Sequence, residues 1–279
     1  MAYIRSGDIQ LWYETFGDGE PLLMLMGLGG TIQAWGLQIP TLSAHYRLIC
    51  LDNRGVGRSD KPQGPYTIAE MAEDALAVLD AAQVESAHVL GVSMGGLIAQ
   101  ELYHRAPARV RSLILGCTGT GPNDPTYVRP APEAWEVLAL DRRSQPPETI
   151  IEAMCQVFYH PSYRARVPDL AARLLKLQQA QPQPPHGYEG QLAACWSHAP
   201  NSPRLADIRV PVLVLHGSDD EIWPLANAHY LAEHIPGAVL HVIPESGHMF
   251  MIEKPHEFNQ AVLDFLARLP RHHGAVPSG

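Results

Sequence analysis

The sequence predicts an α/β fold: a mostly parallel, doubly wound sheet interrupted by a helical insertion. Three observations predict it. Short continuous apolar runs alternate with helix-period segments up to residue 117. The rhythm then stops between about 120 and 205, where prolines cluster at 122–132, 146–147 and 182–185. It resumes from 210 to 268.

The elements follow in order. DIQLWYETFG (8–17) is rich in strand formers and runs into the turn set Gly17, Asp18, Gly19. PLLMLMG (21–27) and YRLICLD (46–52) are unbroken apolar runs, as strands buried on both faces require. A short helix is expected within 32–44. NRGVGRSDKP (53–62) reads as a loop held by its own charges. TIAEMAEDALAVLDAAQ (67–83) opens with Thr67 and Glu70 at capping-box spacing and continues as an amphipathic helix. AHVLGV (87–92) is a strand, 95–106 a helix stopped by Pro107, and RSLILGC (111–117) a strand. Within the insertion, helices are expected over 133–143, 148–158 and 167–180. VPVLVLHG (210–217) is a strand, 225–235 a helix, AVLHVIP (238–244) a strand and 256–268 a helix. The expected organisation is a core in two parts, 1–119 and 206–270, a cap at 120–205 and a flexible tail at 271–279.

Composition narrows the function classes. The 279 residues are 46% hydrophobic, enough for one large core. The formal charge of −9 and the lack of a Lys/Arg cluster argue against a nucleic-acid groove. Cys50, Cys117, Cys155 and Cys195 are far apart and form no CxxC pair, so free buried thiols in a reducing compartment are expected. No signal-peptide pattern opens the chain and no 18-residue apolar run occurs, so a cytoplasmic protein without a membrane span is expected. The 14 histidines contain no HExxH spacing; no metal and no organic cofactor is expected. Monomer and homodimer both stay open.

The chemistry is carried by Gly91-Val92-Ser93-Met94-Gly95, a G-x-S-x-G pattern at the seam between a strand and a helix. Such a corner projects the serine hydroxyl above the sheet, and the glycines leave room for the backbone to pass. A serine needs a base, and the base needs an orienting acid. Two later loops offer them, both following strands: Ser218-Asp219-Asp220-Glu221 and Glu245-Ser246-Gly247-His248. His248 is the best base. His216 and His241 sit in strands, and His256 sits at a helix start. Asp219, Asp220 and Glu221 are all candidates for the acid; Asp52 and Asp124 are outsiders.

With these residues in hand, the chain resembles the α/β-hydrolase superfamily, in particular its cofactor-free serine hydrolases: carboxylesterases, 3-oxoadipate enol-lactonases and haloperoxidase-like perhydrolases. LMLMGLGG, LDNRGVGRSDKP, GVSMGG, HGSDDEIWP and IPESGH carry the resemblance, which covers nearly everything outside 120–205. It implies the α/β-hydrolase fold and a Ser93–His248–Asp220 triad, with Asp219 as the fallback acid. It also implies an oxyanion hole made by the backbone N–H groups of Leu28 and Met94. Met26-Gly27 stands where the family often has His-Gly; that histidine is usually structural, and no loss of catalysis is expected.

The implied activity is hydrolysis of a small-molecule carboxylic ester or lactone through an acyl-enzyme. A serine at the elbow argues against dehalogenase and epoxide-hydrolase chemistry, which use a carboxylate there. The alternatives are a C–C bond hydrolase of vinylogous diketones, a perhydrolase, and a ligand receptor on a hydrolase scaffold. The C–C reading requires arginine near the serine, with Arg142, Arg143, Arg164 and Arg166 as candidates. Gly27, Trp135, Trp196 and Trp223 are candidate substrate contacts. The cap aromatics Trp135, Phe158, Tyr159, Tyr188 and Trp196 either wall a pocket or glue the cap to the core.

Overall fold

The computed structural model of the chain describes residues 1–270; the tail expected at 271–279 lies outside them. Eight strands form one sheet: β1 (Ala2–Ser6), β2 (Ile9–Phe16), β3 (Pro21–Leu25), β4 (Arg47–Leu51), β5 (Ala87–Val92), β6 (Val110–Gly116), β7 (Val212–Gly217) and β8 (Val239–Ile243). Their order is β1-β2-β4-β3-β5-β6-β7-β8. The β1–β2 and β2–β4 pairs are antiparallel and every other pair is parallel. The helices are α1 (Ile39–Leu42), α2 (Ile68–Ala81), α3 (Met94–Arg105), α4 (Pro132–Leu138), α5 (Pro147–Phe158), α6 (Pro161–Arg166), α7 (Leu170–Ala180), α8 (Pro185–Ser197), α9 (Ala226–His234), α10 (Phe250–Glu253) and α11 (Pro255–Ala267). Among the described residues, no helix is long and apolar enough to cross a membrane.

The apolar strand runs are unbroken because each face meets its own core. In β3, Leu23 and Leu25 pack with residues of α2, α3 and α9, whereas Leu22 and Met24 pack with Trp35, Phe250 and Phe258 on the other side. Helix α2 starts where expected. Thr67 Oγ1 accepts the Glu70 N–H at 3.1 Å, and Glu70 Oε2 accepts the Thr67 N–H at 2.8 Å.

The structure departs from the sequence reading at identifiable places. A strand occupies Ala2–Ser6, where none was expected; it is an edge strand with alternating exposure, ordered by its pairing with β2. The 53–62 loop is not held by its own charges alone. Arg54 reaches out to α2 and forms two bonds with Asp74, at 2.6 and 2.9 Å, and one with Glu70 at 3.1 Å. In the insertion, α4 ends at Leu138, and α6 and α8 were not foreseen. Gly187 and Gly190 depress helix propensity in α8, yet both are needed there. A Cβ on Gly187 would strike the Gly55 carbonyl, and one on Gly190 would lie 2.6 Å from the Tyr66 ring. These glycines let α8 rest directly on the core loop.

Helices α4 to α8 all lie between β6 and β7. Asp124 ties the ends of this insertion together: its carboxylate accepts the Thr126 N–H at 2.9 Å and the Ser202 N–H at 2.7 Å. Asn201 donates to Gln100 of α3 at 2.6 Å. Thr67→Ala removes one half of the α2 cap and is expected to lower unfolding stability by about 1 kcal/mol. Urea titration of the variant beside wild type checks that loss.

Candidate active site

Ser93 joins β5 to α3 with φ 55° and ψ −121°, a left-handed backbone that a non-glycine residue adopts only under constraint. The constraint is visible. Ser93 N–H donates to Gly116 O at 2.8 Å, and Ser93 O accepts from Gly96 N–H and Thr118 Oγ1, each at 2.9 Å. A Cβ at Gly91 would collide with the Gly95 carbonyl, and one at Gly95 with the Leu25 carbonyl. The turn therefore closes only with glycine at both places. The backbone is fully engaged, while the Ser93 hydroxyl opens onto a cavity.

The candidate oxyanion loop follows β3. Asn53 Nδ2 donates to Met26 O at 2.9 Å, Ile32 N–H donates to Asp52 Oδ1 at 2.8 Å, and Gly29 N–H donates to Gln191 Oε1 at 2.8 Å. The pattern LDNRGVGRS thus supports this loop, and the cap helix α8 reaches down to it through Gln191. Gly27 abuts the nucleophile: a Cβ there would lie 3.0 Å from Ser93 Cβ. Leu28 and Met94 border the same cavity, and among the described residues no protein acceptor takes either N–H. Met94 opens α3, so its N–H belongs to the unpaired first turn of that helix.

Of the three clustered acids, geometry selects Asp220. Its Oδ2 accepts His248 Nδ1–H at 2.9 Å, and its Oδ1 accepts the N–H groups of Ile222 and Trp223 at 2.8 and 2.9 Å. Asp219 turns outward to the Ser218 hydroxyl, and Glu221 is exposed. Burial works against the Asp220 carboxylate, but His248, His216 and the Trp223 N–H outweigh it and hold its carboxyl below the usual range. His248 is buried with Nδ1 occupied, which leaves Nε2 as the nitrogen available to the cavity it lines. His216 lies beneath the pair, donating to Trp223 O at 2.6 Å. His241 and His256 are exposed.

The fully buried Cys117 thiol lies close to Asp220 and His248, the three offering metal donors within 4.8 Å of one another. Burial pushes its pKa well up, and the other two groups are bonded to each other, so this cluster has the chemistry of an acid–base pair over an inert thiol. All four cysteines are free and buried.

The cavity is about 110 Å³, and its wall contains no Asp, Glu, Lys or Arg. Gly27, Trp135, Trp196 and Trp223 all line it, as does Phe158. Trp135 and Trp196 meet edge to face at 4.4 Å, so these cap aromatics both wall the pocket and hold helices together. Tyr159 and Tyr188 are buried within the cap instead. None of Arg142, Arg143, Arg164 and Arg166 reaches the cavity. Arg143 pairs with Glu189 on the surface, and Arg142 lies 3.5 Å from the Tyr188 ring centroid. Sequence reasoning missed Tyr127, which lines the pocket against Trp223, and Gln191. Neither stands in a motif or a periodic run that could have flagged it.

A family model described as "alpha/beta hydrolase fold" matches residues 20–255. "Putative carbamate hydrolase RutD" of Azorhizobium caulinodans is 34% identical over 96% of this chain and 99% of its own. The enol-lactonase from Burkholderia xenovorans LB400 superposes with a TM-score of 0.83 at 26% identity, covering 96% of this chain and 100% of that one. Est816, described as an N-acyl homoserine lactone degrading enzyme, superposes with a TM-score of 0.81 at 30% identity over 95% of this chain and 100% of its own.

The Asp220 geometry sets a direct comparison. Asp220→Asn should lower kcat by about 10⁴, since the amide favours the wrong imidazole tautomer. Asp219→Asn should change it less than threefold. Steady-state kinetics on both variants checks the pair, and the reverse ranking would move the acid to Asp219.

Proposed function

The chain belongs to the α/β-hydrolase family, and on that premise we propose that it is a serine hydrolase of uncharged, compact carboxylic esters or lactones. The observation that carries this reading is the His248–Asp220 bond of 2.9 Å behind a cavity onto which Ser93 and His248 both open. Ser93 Oγ attacks the carbonyl while His248 Nε2 takes its proton. Asp220 holds the imidazole tautomer and stabilises the imidazolium. The Leu28 and Met94 N–H groups receive the oxyanion, each such donor being worth about 3 kcal/mol in the transition state. His248 then protonates the leaving alkoxide. A water activated by the same nitrogen releases the acid and regenerates Ser93.

The cavity wall supports the substrate class. A carboxylate on the substrate would be buried there with no cation to meet it, which is strongly unfavourable. That weighs against the polyanionic substrates of the C–C hydrolase reading. The relatives' names bring lactones and carbamates into range, and both use the same acyl-transfer steps.

The test is steady-state hydrolysis of p-nitrophenyl esters from acetate to octanoate, with a neutral lactone, a p-nitrophenyl carbamate and a p-nitrophenyl hemisuccinate alongside. Neutral short esters should exceed the hemisuccinate by roughly a hundredfold or more in kcat/KM. Ser93→Ala should lower kcat on the order of a millionfold with the fold intact. Activity surviving in that variant would sink the nucleophile assignment, and a burst without turnover would favour a receptor.

A further inference from the structure

We propose that Glu253 is a positioning residue, a clamp that couples the cap to the loop carrying His248. The proposal rests on the reading of His248 as the general base. Glu253 ends α10 and is only 5% exposed, yet it does not line the cavity. Its two oxygens serve two different donors. Oε1 accepts the N–H of Gly247, the residue before His248, at 3.1 Å. Oε2 accepts the N–H of His160, in the cap, at 3.0 Å. Among the described residues it forms no ion pair with a basic group, which is an unusual state for a buried carboxylate.

What it joins gives the arrangement its meaning. Cap residues 158–160 run along residues 247–249. Met249 N–H donates to Phe158 O at 3.0 Å, and the Phe158 ring meets the His248 ring edge-on at 5.2 Å. A Cβ on Gly247 would sit 3.0 Å from His160 N and 3.1 Å from Phe158 O, so at Gly247 the two backbones lie directly against each other. Two N–H groups at this seam need an acceptor, and the Glu253 carboxylate serves both. The orientation of His248 is thereby set from two sides: Asp220 fixes the ring, and Glu253 with Phe158 fixes its loop against the cap.

The groups facing Glu253 are Asp220 and His248 from the core, and Tyr159, Tyr163 and His160 from the cap. Lys254 follows it in the chain. Burial pushes its carboxyl up to about 7, against the pull of the His160 and Gly247 N–H groups; Asp220 raises it further and His248 lowers it. The clamp is therefore charged and tight at alkaline pH, and weaker in acid. The linkage has the opposite sign for stability. The folded-state value lies above the ordinary carboxylate range, so this group's contribution is fully present in acid and is lost as pH rises toward 7. Ionisation tightens the catalytic geometry while lowering fold stability.

The experiment is Glu253→Gln in the full chain, assayed with the best p-nitrophenyl ester. Its amide can accept from one N–H but not from both. The expected kcat falls on the order of tenfold to a hundredfold with KM little changed. The low-pH fall in kcat/KM becomes shallower by one proton, and thermal unfolding lacks the decline in stability that the raised Glu253 carboxyl is expected to give wild type as pH rises toward 7. Wild-type kcat with an unchanged pH slope would overturn the proposal, as would a loss of activity that only follows the unfolded fraction. Should the variant not fold, amide hydrogen exchange in wild type decides. Gly247 and His160 protection, corrected for intrinsic exchange, should rise together as pH passes 7; pH-independent protection overturns the clamp. Failure of the general-base reading appears separately, as activity that survives His248→Ala.

Discussion

The backbone of Ser93 is the constraint on which the rest of the site depends. A residue with a side chain stands at φ 55° in the middle of the sheet, between the central strand β5 and the helix it launches. That conformation costs on the order of 1–3 kcal/mol and persists only where the surroundings over-determine it. Here three hydrogen bonds hold the Ser93 backbone, and glycines at 91, 95 and 96 clear the space around the turn. Gly95 lets the start of α3 lie against the end of β3, and Gly27 lets the oxyanion loop approach the serine. Positions that look unrelated in the chain are small for this single reason.

A second balance concerns charge. Asp220 is buried, and a buried carboxylate is tolerated only with donors on its lone pairs. Two backbone N–H groups and the His248 ring supply them. In front of this pair the cavity wall contains no Asp, Glu, Lys or Arg, so the field inside it comes from the pair and from backbone dipoles. An apolar wall strengthens those dipoles by keeping water away. The same wall offers no cation to a buried carboxylate, so one feature sets both the field in the cavity and the charge it can accommodate.

The insertion is tied to the candidate site at two ends. Gln191 of α8 holds Gly29 in the oxyanion loop, and the 158–160 segment holds the histidine loop through Phe158 and Glu253. A displacement of the insertion would therefore disturb the Gly29 loop and the His248 loop together. The insertion is a roof with structural attachments to both halves of the site, rather than a separate module resting on the core.

Much of this was legible in the sequence. The parallel core was, because burial on both faces leaves unbroken apolar runs. The α2 start was, because capping is local chemistry at fixed spacing. The serine corner was, because its glycines fall within four residues of one another. The acid was not legible from the residues alone: Asp219 and Asp220 are chemically alike, and only the path of the loop against His248 separates them. Helix α8 was hidden because Gly187 and Gly190 answer to Gly55 and Tyr66, over a hundred residues away. The neutrality of the pocket was hidden as well, since seven arginines lie between 120 and 205 and only packing shows that none of them lines the cavity. Glu253 belongs to this group: its partners, Gly247 and His160, meet only when cap and core close together. What the sequence by itself determined rests on interactions spanning a few residues or one periodicity; what only the tertiary structure decided depends on which distant surfaces come within hydrogen-bonding distance.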